Sequence, residues 1–138
     1  MSNFNISKHT DKNTPLFFIN GNNYLCKVVN IIAPNIIKVV FKPHDTFIKV
    51  KLKINNITLQ DNNNINNEAF NYLYYLLTAN TNYDNMIHFF NNNDVLLTMI
   101  VLYFDKEGYL IADLYDNNNN KTISQLMLES GNVKKYLK

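Results

Sequence analysis

From Ile48 to Ile54 apolar and lysine side chains alternate without a break. Ile48, Val50, Leu52 and Ile54 fall on one side, and Lys49, Lys51 and Lys53 on the other. Successive side chains of a pleated strand point to opposite faces, so this period of two predicts a strand with one buried and one wet face. Two apolar, β-branched runs precede it, over residues 24–32 and 36–42, separated by Ala33-Pro34-Asn35. Pro43-His44-Asp45 then separates the second run from the third. Proline and Asn/Asp at these places are turn formers, and three strands on short connections predict an antiparallel meander.

The period changes after a polar loop over residues 61–67. Phe70, Leu73, Leu76 and Leu77 recur at helical spacing, which predicts a helix over residues 68–79 with Glu68 in its first turn, where a carboxylate complements the helix dipole. Tyr72, Tyr74 and Tyr75 make that helix apolar on more than one side, as wide burial or a partner-facing surface requires. Residues 80–94 read as loop, with 86–90 apolar enough for a short strand or a helical turn. A long strand is predicted over residues 95–104. Asp105-Lys106-Glu107-Gly108 is a tight turn, and residues 109–115 form the partner strand, with Leu110, Ala112 and Leu114 inward and Tyr109, Asp113 and Tyr115 outward. A further turn falls at 117–120. Thr122 and Gln125 are spaced as a capping box, Ile123, Leu126 and Met127 form the stripe behind it, and Gly131 suits the left-handed cap. Residues 1–15 read as a flexible polar arm. Three strands, a helix, two strands and a helix make an α+β, mainly β chain: a five-stranded, OB-type antiparallel barrel with a helix between the third and fourth strands and a C-terminal helix, in a single domain over residues 16–138.

Composition narrows the chemistry. The chain has 138 residues, 46% hydrophobic, and a net charge of +2, so it can bury one core but sets up no strong global field. All 13 basic residues are lysine, and 27 residues are asparagine. That bias, with abundant Ile, Tyr and Phe, fits an AT-rich genome such as that of a large DNA virus or a protist. Cys26 is the only cysteine, which excludes an intrachain disulfide, and its apolar neighbours predict a buried, inert thiol. No apolar run reaches the length of a membrane span and residues 1–14 lack a signal-peptide core, so the expected location is intracellular, in cytoplasm, nucleus or virion. His9, His44 and His88 lack metal-ligand spacing, the 3 glycines build no phosphate-cradling loop, and Ser124 and Ser130 sit in no nucleophile motif. Neither a metal nor a cofactor is expected.

One segment carries a resemblance. DKEGYLIADLY over residues 105–115, NNNNKTISQLMLESG over 117–131, NVKKY over 132–136 and the Glu68-Ala69 helix start together resemble the staphylococcal nuclease (thermonuclease-like) family. The resemblance spans residues 16–136 and implies an OB barrel. It also implies a family chemistry of two calcium-holding aspartates, two phosphate-binding arginines and a glutamate that activates water. At the matching positions this chain has Asn35 and Asn56 for the aspartates, Lys51 and Tyr109 for the arginines, and Leu59 for the glutamate. Lysine keeps a charge but lacks the planar guanidinium fork that holds phosphate through two hydrogen bonds. The resemblance thus implies an inherited barrel without the groups that hydrolyse a phosphodiester, and so not an enzyme. Lys106 stands where the family has a phosphate-contacting lysine.

The expected function is therefore binding. Lys49, Lys51, Lys53 and Lys106, with Tyr109 and Tyr115, form a candidate surface for single-stranded nucleic acid, because barrels of this kind bind single strands through a basic face with aromatic stacking. Alternating lysines also keep an exposed strand soluble, and a protein-docking role fits the same barrel. Two further readings stand beside it. One is a divergent metal-dependent nuclease built on Asp105, Glu107 and Asp113. The other is a structural component of a larger assembly, held through the tyrosine-rich helix.

Overall fold

In the computed structural model residues 23–115 and 120–136 are described. The chain runs β1 (Asn23–Ala33), β2 (Ile36–Phe41), β3 (Ile48–Ile54), β4 (Ile57–Thr58), α1 (Asn63–Thr78), α2 (Met86–Asn92), β5 (Leu96–Phe104), β6 (Leu110–Tyr115), α3 (Ile123–Ser130) and β7 (Lys134–Lys135). The 1–15 arm, the start of the domain at residue 16 and most of the 117–120 turn lie outside the described residues. No helix among the described residues is long and apolar enough to cross a membrane.

Five strands close into a barrel in the order β1-β2-β3-β6-β5, with β5 returning to pair with β1. This is the expected OB-type barrel, with α1 and α2 between its third and fourth strands and α3 after the fifth. One pairing departs from the antiparallel expectation: β3 and β6 are parallel, with Leu52 opposite Leu110 and Ile54 opposite Ala112. Parity imposes this. Strand direction cannot alternate around a closed ring with an odd number of members, so one neighbouring pair must run the same way. That pair is the one joined through the helices, since only a long crossover returns a chain in the same direction. β1 carries two register shifts against β2, between Val28 and Asn30 and between Ile31 and Ala33. Such irregularities bend and twist a strand, as closure of so small a barrel demands.

The inward phase of each strand fills the barrel. Val28, Ile37, Val39, Leu52, Met99, Val101, Leu110, Ala112 and Leu114 are all fully buried. The Ile48–Ile54 alternation appears as drawn from the sequence: Leu52 and Ile54 are buried, while Lys49 and Lys51 are exposed. Cys26 is buried, and burial drives its thiol pKa up to about 12, so the inert thiolate-free form persists at neutral pH.

The helices differ from the sequence reading at the start of α1 and in the buried stripe of α3. α1 begins at Asn63, five residues before Glu68, within the stretch expected to be loop. The Asn62 side chain caps it, accepting the N–H groups of Asn64 at 2.9 Å and Ile65 at 3.2 Å. Asparagine is a poor interior helix residue but a strong N-cap, and the cap outweighs the weak propensity of the residues it starts. Residues 86–90 fall within α2, the helical of the two alternatives their apolar pattern allowed. Of the three tyrosines on α1, only Tyr74 is core: its ring meets Tyr83, Phe89 and Phe90 edge-on at 5.8–5.9 Å, and its hydroxyl accepts from Asn80 Nδ2 at 2.9 Å. Tyr75 is exposed. α3 keeps its capping box, with Gln125 N–H donating to Thr122 Oγ1 (3.1 Å) and Thr122 N–H to Gln125 Oε1 (2.8 Å). Leu126 is only half-buried, and Ser124 takes a buried place beside Ile123 and Met127.

α1 ends at Ala79 in the left-handed region, φ 57°, where its N–H donates to Tyr75 O at 2.7 Å. A Cβ is costly there and glycine is the residue that suits the position. Ala79→Gly is expected to raise stability by about 0.5–1 kcal/mol, although it removes atoms. Urea denaturation of the two proteins measures it, and an unchanged or lower midpoint for the variant contradicts it.

Candidate functional site

The parallel β3–β6 pair sets the Asp105–Tyr109 turn, which leads into β6, beside the outer face of β3. The turn is internally braced. Asp105 Oδ1 accepts the N–H groups of Glu107 and Tyr109, each at 2.9 Å, and Gly108, at φ 88°, donates its N–H to Asp105 O at 3.1 Å. Lys53, outward on β3, reaches this turn: its Nζ lies 3.2 Å from Asp105 Oδ2, 3.6 Å from Glu107 Oε1 and 4.4 Å from the centre of the Tyr109 ring.

These contacts set the ionisation of the pair. Partial burial disfavours charge on Lys53, but the hydrogen bond and charge of Asp105, joined by Glu107, outweigh it and hold the pKa above its ordinary value. Desolvation likewise works to raise Asp105. The Tyr109 N–H, the Lys53 ammonium and the Glu107 N–H overcome it and keep the carboxyl below its ordinary range. Lys53 is thus neutralised by its own chain and is not part of a free stripe with Lys49 and Lys51.

Two depressions flank this knot. One, a cleft of about 160 Å³, is lined by Asn35, Lys53, Asn55, Asn56, Asp105 and Tyr136, among others. Asn35 stands in the β1–β2 turn, where its C=O accepts the Ile54 N–H at 2.9 Å, and its Oδ1 is buried without a partner among the described residues. Asn56 turns the chain from β3 to β4 at φ 70°, and its C=O accepts the Tyr136 N–H at 2.7 Å. β4 and β7 pair there, Ile57 with Lys135 and Thr58 with Lys134, which draws Tyr136 to the rim. The other depression, an open groove of about 280 Å³, is lined by Lys49, Val50, Lys51, Glu107, Gly108 and Tyr109.

The family-like positions therefore do not converge on one pocket. Asn35 and Asn56 line the cleft, Lys51 and Tyr109 line the groove, and Leu59 lines neither. Lys106 is exposed in the turn. Tyr115 sits at the other end of β6 from Tyr109, roughly 20 Å away along an extended strand, and pairs with Thr98, so it does not join the lysines. Nor do the three acids gather. Asp105 and Glu107 both face Lys53, whereas Asp113 accepts from Asn55 Nδ2 at 3.1 Å. Among the described residues no group of three His, Cys, Asp or Glu side chains is placed to hold a metal.

Two residues of this face went unread in the sequence. Lys38 is outward on β2 and lies directly opposite Lys51. Its signal was present, since Lys38 shares the phase of Ile36 and Val40 in a strand whose other phase is wholly apolar. Phe47, 68% exposed at the head of β3, carries the Lys42 ammonium 5.3 Å from its ring centre. Nothing in a turn sequence distinguishes an exposed phenylalanine from a buried one. A scan against protein-family models and a search of the curated proteins both find no match for this chain.

The carboxyl of Asp105, depressed in the folded state, contributes stability above its unfolded pKa, and that contribution is lost as pH falls through the folded value. Asp105→Asn retains an oxygen for the Glu107 and Tyr109 N–H groups but removes the charge facing Lys53. The variant is expected to be less stable than the parent at neutral pH and to converge on it between about pH 5 and pH 2. Denaturant midpoints across that range measure this, and curves that stay parallel would falsify the assigned role of the Asp105 charge.

Proposed function

We propose that the chain is a binding module: a nuclease-like barrel without hydrolysis that contacts single-stranded nucleic acid through the outer face of β2 and β3. The observation that carries the reading is one of uncompensated charge. Lys38, Lys49 and Lys51 have no ion-pair partner among the described residues; Lys42, Lys106 and Lys135 also lack one, but Lys38, Lys49 and Lys51 lie together on adjacent strands of one face. Their position beside the groove matters more than the small net charge of the whole chain, because phosphate is recruited by local potential. Aromatic rings stand at both ends of the row, Phe47 at the head of β3 and Tyr109 in the groove. Rings of this kind accept the face of any unpaired base, which favours single strands without demanding a sequence.

The nuclease-like part of the reading rests on the resemblance over residues 105–136, on the OB strand order and on the residues at the family-like positions. Asn35 and Asn56 offer neutral oxygens where a calcium site needs carboxylates, and Lys51 and Tyr109 provide no guanidinium. A divergent nuclease would instead have to draw on Asp105, Glu107 and Asp113, whose contacts are with Lys53 and Asn55.

A labelled oligothymidylate in a fluorescence anisotropy titration is expected to bind at low salt, with log affinity falling linearly as log salt rises. Replacing Lys49 and Lys51 together with glutamine is expected to weaken binding by about tenfold or more and to flatten the salt slope by roughly 1.4, the loss of two single-strand phosphate contacts. No binding by the parent chain at low salt discards the reading. Calcium- or magnesium-dependent cleavage of the same oligonucleotide, abolished by Asp113→Ala, would replace it with the divergent nuclease.

A further inference from the structure

β2 and β3 pair in a register that sets Ile36 opposite Lys53, Lys38 opposite Lys51 and Val40 opposite Lys49. Lys38 is thereby central to the face: Lys51 stands directly across, while Lys49 and Lys53 occupy its two diagonals. Directly opposed side chains on one face have Cβ atoms about 4.5–5.5 Å apart and diagonal ones lie about 7–8 Å away, within reach of lysine stems. Like charges directly opposite are destabilising. Only one of these charges is offset by an ion pair among the described residues, that of Lys53, through Asp105 and Glu107. Among the described residues Lys38 and Lys51 make no ion pair: Glu107 lines the groove with Lys51 but reaches Lys53, and the outward neighbours of Lys38 along its own strand, Ile36 and Val40, carry no charge.

A repulsive pair without an ion-pair partner among the described residues, beside a single lysine that has two, marks a place completed by an external anion. We propose that Lys38 and Lys51 form a two-ammonium phosphate clamp, deepening the nucleic-acid reading by naming its central backbone contact. Each ammonium is a point charge with three rotatable donors, so two of them hold one phosphate without the planar fork of an arginine. The Lys38–Lys51 row runs across the strands, so a bound backbone passes from the groove at Tyr109 over β3 onto β2.

The clamp has a signature that a solubilising lysine lacks. Lys38→Gln relieves the repulsion in the free protein and removes a phosphate contact in the bound one, so stability and affinity move in opposite directions. The variant is expected to show a higher urea midpoint than the parent at low salt. It is also expected to bind oligothymidylate about 3–10-fold more weakly, with the salt slope reduced by about 0.7. Tripolyphosphate, used as a probe without bases, is expected to raise the thermal midpoint of the parent and to do so less for Lys38→Gln. If the parent binds oligothymidylate and Lys38→Gln binds it equally well with the same salt slope, the clamp is overturned while the broader reading stands. If the parent fails to bind oligothymidylate but gains stability from tripolyphosphate through Lys38, the nucleic-acid reading falls and the anion clamp survives. Equal response of both proteins to tripolyphosphate, or none, in that case sinks the clamp as well.

Discussion

Closure of a ring of five strands is the constraint on which the rest of this structure depends. Because five is odd, one neighbouring pair must be parallel, and here it is β3 with β6. A parallel pair cannot be joined by a tight hairpin, so the chain leaves the barrel after β3, runs through α1 and α2, and returns by β5. The same pair brings the Asp105–Tyr109 turn alongside the outward lysines of β3. Every contact that shapes the candidate site, from the Lys53–Asp105 ion pair to the groove at Tyr109, follows from that adjacency.

Charge is then distributed unequally on one face. Lys53 meets two carboxylates and an aromatic ring, and its role within the chain is to brace a turn. Two residues back along β3, Lys51 faces Lys38 with no such ion pair among the described residues. Exposed ion pairs and repulsions are each small in water. Their arrangement therefore says more about what the face attracts than about how the barrel is held together, which is the work of the buried Ile, Val, Leu and Met side chains inside the ring. The cleft beside Asn35 belongs to the same surface, and it brings the amides of Asn35, Asn55 and Asn56 and the ring of Tyr136 up to the Lys53–Asp105 ion pair.

Much of the fold was legible along the chain. The alternation over β3, the turn at Asp105-Lys106-Glu107-Gly108 and the Thr122–Gln125 box appear as read, since each is a local pattern whose physics acts within a few residues. The start of α1 was misplaced because a run of asparagines has weak helix propensity, and only the geometry of the Asn62 cap tells which of them begins the helix. The site was less legible. Lys49 and Lys51 were visible as half of a strand pattern, but Tyr115 was grouped with them by phase alone and stands at the wrong end of β6. The strand pattern shows Lys53 only as a third outward lysine, because its partners lie 52 and 54 positions later in the chain.

The sequence by itself determined which side chains face inward, where most strands turn, and that the basic face would be made of lysine without arginine. These follow from the period of the pleat and from residue identity, which are properties of neighbours in the chain. Tertiary structure alone decided that β3 meets β6 in parallel, that Lys38 opposes Lys51, and that Lys53 is drawn into an ion pair with Asp105. Charge acts through distance in space. The distances that matter here are set by strand register and barrel closure, and neither is written in the spacing of residues along one strand.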